Sequence, residues 1–189
     1  MLQLSDTGYV LSILKEVKMG DIYVELARQS LTSYIKDGRK LPMPEGLPDE
    51  LAGRRAGAFV SLHKNGELRG CIGTIGPTTS CVAQEIINNA ISASTRDPRF
   101  PAVKEDEIDQ LEINVDVLGE PEDIDSLDKL DVKRYGVIVS TPDGRRGLLL
   151  PDLEGVDTVE DQVSIAMYKG GIHSHEKIYL QRFEVVRHI

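Results

Sequence analysis

The sequence has no tryptophan, only three phenylalanines and six tyrosines, and only two cysteines. Cys71 and Cys81 are too few for a disulfide framework and show none of the short paired spacings of a zinc or iron–sulfur site. They are expected as free thiols, and no cofactor and no metal are expected. His175-Glu176 opens like a zinc helix, but Tyr179 stands where the second histidine would be, and His173, His175 and Glu176 read as solvated loop residues. No apolar run approaches the ~20 residues of a membrane span, and the amino-terminal stretch lacks the basic-then-apolar pattern of a signal peptide. A membrane partner is therefore not expected, and the expected location is cytoplasmic. Basic residues are the minority, 22 against 31 acidic ones, a net charge of −9 that repels phosphate backbones. The longest basic clusters, Arg54-Arg55 and Arg145-Arg146, are too short to argue for nucleic acid. A Gly-x-Ser-x-Gly elbow, a phosphate loop and a dinucleotide fingerprint are also absent, since Gly70, Gly73 and Gly76 have the wrong spacing and follow a hairpin strand.

What the chain does have is organised around the stretch from Gly57 to Gly73. Two β-prone runs, Ala58 to His63 and Leu68 to Ile72, flank Asn65-Gly66, whose tolerance of positive φ predicts a type I′ turn and a tight hairpin. With those two residues as the turn, His63 faces Leu68, Leu62 faces Arg69, Ser61 faces Gly70 and Val60 faces Cys71. That register puts Arg69 and Cys71 on one face with Val60 and Leu62, and sends His63 to the other. A guanidinium two residues from a thiol on the same face favours the thiolate, and glycines beside it let backbone amides approach a ligand. Cys71 is thus a candidate reactive thiol, with Arg69, Gly70 and Gly73 as candidate ligand contacts. The plainer alternative keeps Cys71 as a small buried hydrophobe and Arg69 as a surface charge.

The rest of the chain supplies helices and further strands. Asp6 to Met19 has helical spacing, and Asp21 caps a better helix that stops near Gly38. Gly38 to Gly57 reads as a long loop with one helical turn at Asp49 to Ala52. Thr78-Thr79-Ser80 offers N-cap oxygens to a helix with Val82, Ile86, Ile87 and Ile91 on its apolar face, placing Cys81 in the first turn as the second candidate thiol. Asp97-Pro98 ends that helix, Phe100 is expected to plug the core, and Arg96 and Arg99 are candidate anion contacts. Leu111 to Leu118 alternates as a half-buried strand, while the acidic Pro121 to Asp131 stretch reads as a solvated helix or loop. Thr141-Pro142-Asp143-Gly144 turns a second hairpin, Thr158 opens a helix that stops at Gly170-Gly171, and Ile178 to Ile189 suits a terminal strand. Strands joined by hairpins rather than helical crossovers predict an α+β fold, mainly antiparallel sheet with flanking helices.

The run ending in Leu68-Arg69-Gly70-Cys71-Ile72-Gly73 resembles the signature of the AMMECR domain family, found in bacteria as protein A of the AmmeMemoRadiSam system. Asp97-Pro98-Arg99-Phe100-Pro101, Gly147-Leu148-Leu149-Leu150-Pro151 and Lys169-Gly170-Gly171-Ile172 carry the resemblance across most of the chain. It implies two unequal subdomains with a cleft between them and the six-residue motif near that cleft. Residues 20–189 would be this one bilobed domain, and residues 1–19 an extension or linker. The resemblance also implies Memo-type and radical-SAM proteins as partners. Two functions follow: a ligand-binding or adaptor component working with those partners, or an enzyme using Cys71 as a reactive thiol, with Arg69 and Arg99 holding a small anionic ligand.

Overall fold

The computed structural model describes residues 21–189. The helix expected over Asp6 to Met19, and with it the extension over residues 1–19, lies outside the described residues. The chain divides into two compact units, one built from the residues up to Val117 together with Arg187–Ile189, the other from Leu118–Val186.

In the first unit, helix α1 (Ile22–Asp37) begins where Asp21 accepts the amide of Tyr23 at 2.8 Å and ends at Gly38, whose φ of 67° is cheap only without a Cβ. The single turn α2 (Asp49–Ala52) follows. Strands β1 (Ala58–Lys64) and β2 (Glu67–Gly73) form the hairpin, with Asn65 and Gly66 both at positive φ as a type I′ turn requires. Helix α3 (Val82–Thr95) and strand β3 (Leu111–Leu118) complete the unit, and β3 sits between β1 and the last strand, β8 (Val185–His188), in the order β2-β1-β3-β8. One face of this sheet is the core: Val60, Leu62 and Val115 are fully buried with Ile86, Ile87 and Ala90 of α3 and Leu31 of α1. Each of the large aliphatic side chains contributes about 1.5–3 kcal/mol by leaving water.

The second unit holds β4 (Glu122–Ile124), β5 (Gly136–Ser140), β6 (Arg146–Leu149), helix α4 (Val159–Lys169) and β7 (Tyr179–Phe183), with sheet order β4-β7-β5-β6. Its core is Val137, Val139, Leu149, Val163, Ala166 and Ile172. A Cβ on Gly147 would lie 1.8 Å from the carbonyl oxygen of Ala166 and 2.7 Å from the amide of Gly170, so these glycines let β6 and the end of α4 touch backbone to backbone. The pairings β1–β2, β1–β3, β4–β7, β5–β6 and β5–β7 are all antiparallel, which with the flanking helices makes the fold α+β.

Several expectations are corrected. The hairpin keeps the turn register only for Lys64–Glu67 and His63–Leu68; beyond it a bulge inserts Arg69, so that Leu62 faces Gly70, Ser61 faces Cys71 and Val60 faces Ile72. The physical reason is burial. The unbulged register would aim a guanidinium into the face where Val60 and Leu62 are fully buried, at a desolvation cost no turn preference can offset. Gly70 goes inward instead, because a Cβ there would sit 2.2 Å from the carbonyl oxygen of Ala93 in α3. Cys71 therefore shares the outer face with Ser61 and His63, not with Val60 and Leu62. Cys81 is the N-cap of α3 rather than a first-turn residue, and is buried. Phe100 is only partly buried and stays outside the core cluster, lying under the Arg99 guanidinium at 5.3 Å. The acidic stretch contains β4, paired with β7, and the terminal strand is broken at Glu184 into β7 and β8, which join different sheets.

Candidate functional site

Because Ser61 and Cys71 face each other with the Cys71 amide and carbonyl pointing away from β1, the two side chains meet: Ser61 Oγ lies 3.2 Å from Cys71 Sγ. Asn114 of β3 faces Ser61 from the other side, so Cys71, Ser61 and Asn114 form one row across the outer face, with His63 in the next row. Cys71 is half-buried.

The outward backbone groups of Cys71 are taken up by the Asp97-Pro98-Arg99 bend. Asp97 Oδ2 accepts the Cys71 amide at 2.9 Å, and Arg99 Nη2 donates to the Cys71 carbonyl at 3.2 Å. The same carboxylate braces Arg99, accepting Nε at 3.0 Å, Nη2 at 2.7 Å and the Arg99 amide at 3.1 Å. With only 2% of its side chain exposed, Asp97 is a buried anion satisfied on both oxygens. Hydrogen bonds from Arg99 first, then the amides of Cys71 and Arg99, hold its carboxyl well below the usual range against the opposing effect of burial. Arg99 is pushed up in turn, chiefly by Asp97, with a smaller contribution from Cys71. The Arg99 side chain is 55% exposed, and its Nη1 makes no hydrogen bond among the described residues.

Arg69 is placed differently from Arg99. It donates Nε and Nη2 to the two oxygens of Glu107 at 3.1 and 3.0 Å, and Nη1 to the carbonyl of Pro101 at 2.8 Å, with 15% of the side chain exposed. Lys64 Nζ reaches the same carboxylate at 3.1 Å. Glu107 is lowered to about 2, first by the Arg69 bond and then by the Lys104 amide. This clamp ties the hairpin to the segment before β3. Gly70 is spent on the contact with α3, and a Cβ on Gly73 would lie 2.2 Å from the Phe59 ring, so both glycines serve packing. Arg96 is exposed at the end of α3, donating its amide to the Ser92 carbonyl. Cys81, the second candidate thiol, is 3% exposed.

Two further polar groups adjoin the hairpin. Glu85 of α3, 1% exposed, accepts both the amide and hydroxyl of Thr78, the amide of Thr79 at 2.6 Å and the hydroxyl of Thr74 at 3.1 Å, fixing the loop after β2. Asp116 of β3 accepts Arg187 Nε at 2.8 Å, fastening β8. In the second unit, His173 and His175 stack at 5.8 Å while Glu176 is held by Arg145, and among the described residues no three His, Cys, Asp or Glu side chains converge as a metal site. A cleft of about 470 Å³ in that unit is lined by Glu122, Arg134, Tyr135, Arg182 and Glu184, with the two guanidiniums 4.9 and 4.3 Å from the Tyr135 ring. Among the described residues no helix is long and apolar enough to cross a membrane.

The fold brings the candidates Cys71 and Arg99 together and adds Asp97 and Ser61, which were not among the candidates, beside them. Asp97 is legible in the sequence as a helix stop and as part of the Asp97 to Pro101 motif; its hold on Cys71 needs β2 and the 97–99 bend in contact, 26 residues apart. Ser61 was hidden by the bulge.

Two antiparallel sheets, each with its own helices, and a thiol on the outer face of the first define an α+β protein of two units. By its match to the AMMECR1 family model over residues 24–188, the chain belongs to the AMMECR1 family. It is 50% identical over 168 residues to a Thermotoga maritima protein, covering 88% of this chain and 96% of that one. It is also 50% identical over 169 residues to CA_C1420 of Clostridium acetobutylicum, covering 89% of this chain but only 36% of that longer relative. The crystal structure of PH0010 from Pyrococcus horikoshii shares the fold with a TM-score of 0.81 at 32% identity, covering 89% of both chains.

Proposed function

We propose that this chain is a ligand-binding component that holds a small anion at Arg99, beside the Cys71 thiol. The observation that carries this reading is Nη1, without a hydrogen bond among the described residues, on a half-exposed guanidinium whose other donors are fixed by a buried carboxylate and by the Cys71 carbonyl. A braced guanidinium keeps its orientation without ligand, so little entropy is lost when an oxyanion docks. Arg69, with its donors on Glu107 and Pro101, supports the hairpin in this reading and does not touch the ligand. From the family resemblance we further propose Memo-type and radical-SAM proteins as the partners this component serves.

The test is alkylation of Cys71, located by peptide mass spectrometry. Relative to glutathione in the same buffer, native Cys71 should prefer iodoacetate over iodoacetamide by about threefold, the scale of one partly exposed charge-assisted contact. Arg99→Gln should abolish that preference. A Cys71 that reacts only after unfolding would sink the reading and leave the thiol as packing.

A second reading, in which Cys71 is a nucleophile, is favoured by the bulge, which brings His63 to the same face. Its sulfur would attack an electrophilic carbon of the bound ligand, displacing a leaving group, with His63 taking the thiol proton. His63→Ala would then slow Cys71 alkylation at neutral pH and shift its pH profile upward, whereas simple binding predicts no change.

A further inference from the structure

We infer that Asp97 is the specificity-determining residue of the Cys71–Arg99 site and restricts it to small monoanions, of which monocarboxylates are the simplest. The inference rests on the ligand-binding reading above and concerns a residue that never touches the ligand.

A guanidinium offers five N–H groups, and a phosphate or sulfate group is gripped best by two of them on one edge together with an uncompensated positive charge. Here Asp97 occupies Nε and one Nη2 donor, and the Cys71 carbonyl takes the second Nη2 donor. What is left is Nη1, whose two hydrogens diverge, so no complete edge of two nitrogens remains for a two-pronged grip. The charge has been spent as well as the geometry. Asp97 is ionised, held so by Arg99 and by two backbone amides, and lies behind the guanidinium with 2% of its side chain exposed. A ligand at Nη1 therefore meets a pair with no net charge. One negative charge is held by the near guanidinium, while a second is repelled by Asp97 and finds no free two-nitrogen edge to compensate it. The neighbouring clamp keeps one net positive charge, since Arg69 and Lys64 share Glu107, but its donors are directed at Glu107 and the Pro101 carbonyl and not at the Asp97–Arg99 pair.

Asp97 also accepts the Cys71 amide, so its substitution has a structural side that must be separated from the charge. Methanethiosulfonate reagents do this, since the neutral methyl, anionic sulfonatoethyl and cationic trimethylammonioethyl forms are all attacked by the thiolate in the same way, forming a mixed disulfide and releasing methanesulfinate. Asp97→Asn keeps an acceptor for the Cys71 amide and removes the charge, with its NH2 turned toward the Arg99 amide and Nε. At low ionic strength it should raise the anionic-to-cationic rate ratio at Cys71 by about five- to tenfold over the unsubstituted protein, the anionic rate rising and the cationic rate falling. A loosened structure would instead raise all three rates together, and that outcome overturns the inference. If Arg99→Gln removes the anion preference while Asp97→Asn leaves the ratio unchanged, the ligand-binding reading stands and the role of Asp97 fails. If Cys71 is inert to all three reagents in the folded protein, both fail. A second measurement needs no variant: at equal ionic strength and pH 8, acetate should slow the neutral reagent at Cys71 and inorganic phosphate should not. Stronger protection by phosphate than by acetate overturns the restriction to monoanions.

Discussion

Gly70→Ala isolates what the Gly70 position of the six-residue motif is for. The added methyl would lie 2.2 Å from the carbonyl oxygen of Ala93 and 3.2 Å from its carbonyl carbon, where ordinary contact begins at 3.4 Å. Both partners are backbone, of β2 and of α3, so no rotamer change relieves the clash, and the strand and helix must separate by about 1.2 Å. That opens the interface lined by Leu62, Ile86 and Ala90, all fully buried, and loses dispersion contacts along it. The expected cost is about 3 kcal/mol, the upper end of overpacking penalties, out of a total stability of about 5–15 kcal/mol. Urea unfolding followed by circular dichroism measures it as a lowered midpoint with unchanged slope. Gly76→Ala, a few residues on, is the control: nothing lies within 4 Å of its added Cβ and its φ is not positive, so a change within about 0.5 kcal/mol is expected. If Gly70→Ala is as stable as Gly76→Ala but loses anion-dependent protection of Cys71, the packing account is refuted and Gly70 belongs to the ligand.

Glu107 and Glu85 are each held by several donors, and each can be tested by its amide. Glu107 is lowered from 4.5 to about 2 in the folded protein, so its stabilisation is complete above pH 4.5 and is lost as pH falls toward 2. Glu107→Gln should cost about 1–3 kcal/mol at pH 7 and flatten the acid limb of the stability curve between those values; an unchanged acid limb would show that the Arg69 clamp does not form in solution. Glu85→Gln places an amide among four donors, and should cost about 2–3 kcal/mol and admit proteolysis in the Thr74–Ser80 loop, whereas native-like resistance there would refute its role as the loop's fastener.

Local chemistry by itself determined the elements that depend only on neighbours in the chain. The Asn65-Gly66 turn, the Asp21 cap and Gly38 stop of α1, the alternation of Leu111–Leu118 and the Thr141–Gly144 turn are all decided within a few residues by φ preference, capping and period. What the turn could not decide was how the hairpin continues. Two registers satisfy Asn65-Gly66 equally, and the choice fell to α3, which accepts Gly70 and rejects Arg69 at the same place. The face on which Cys71 lies is thus a property of helix–sheet packing. The partition of the two arginines was likewise invisible: Arg69 and Arg99 are alike as residues, but one meets Glu107 and the other Asp97 beside Cys71, through contacts 38 and 28 residues apart. Side-chain type fixed that each would seek a carboxylate, and only the fold decided which guanidinium reached Cys71 and, among the described residues, kept Nη1 without a hydrogen bond.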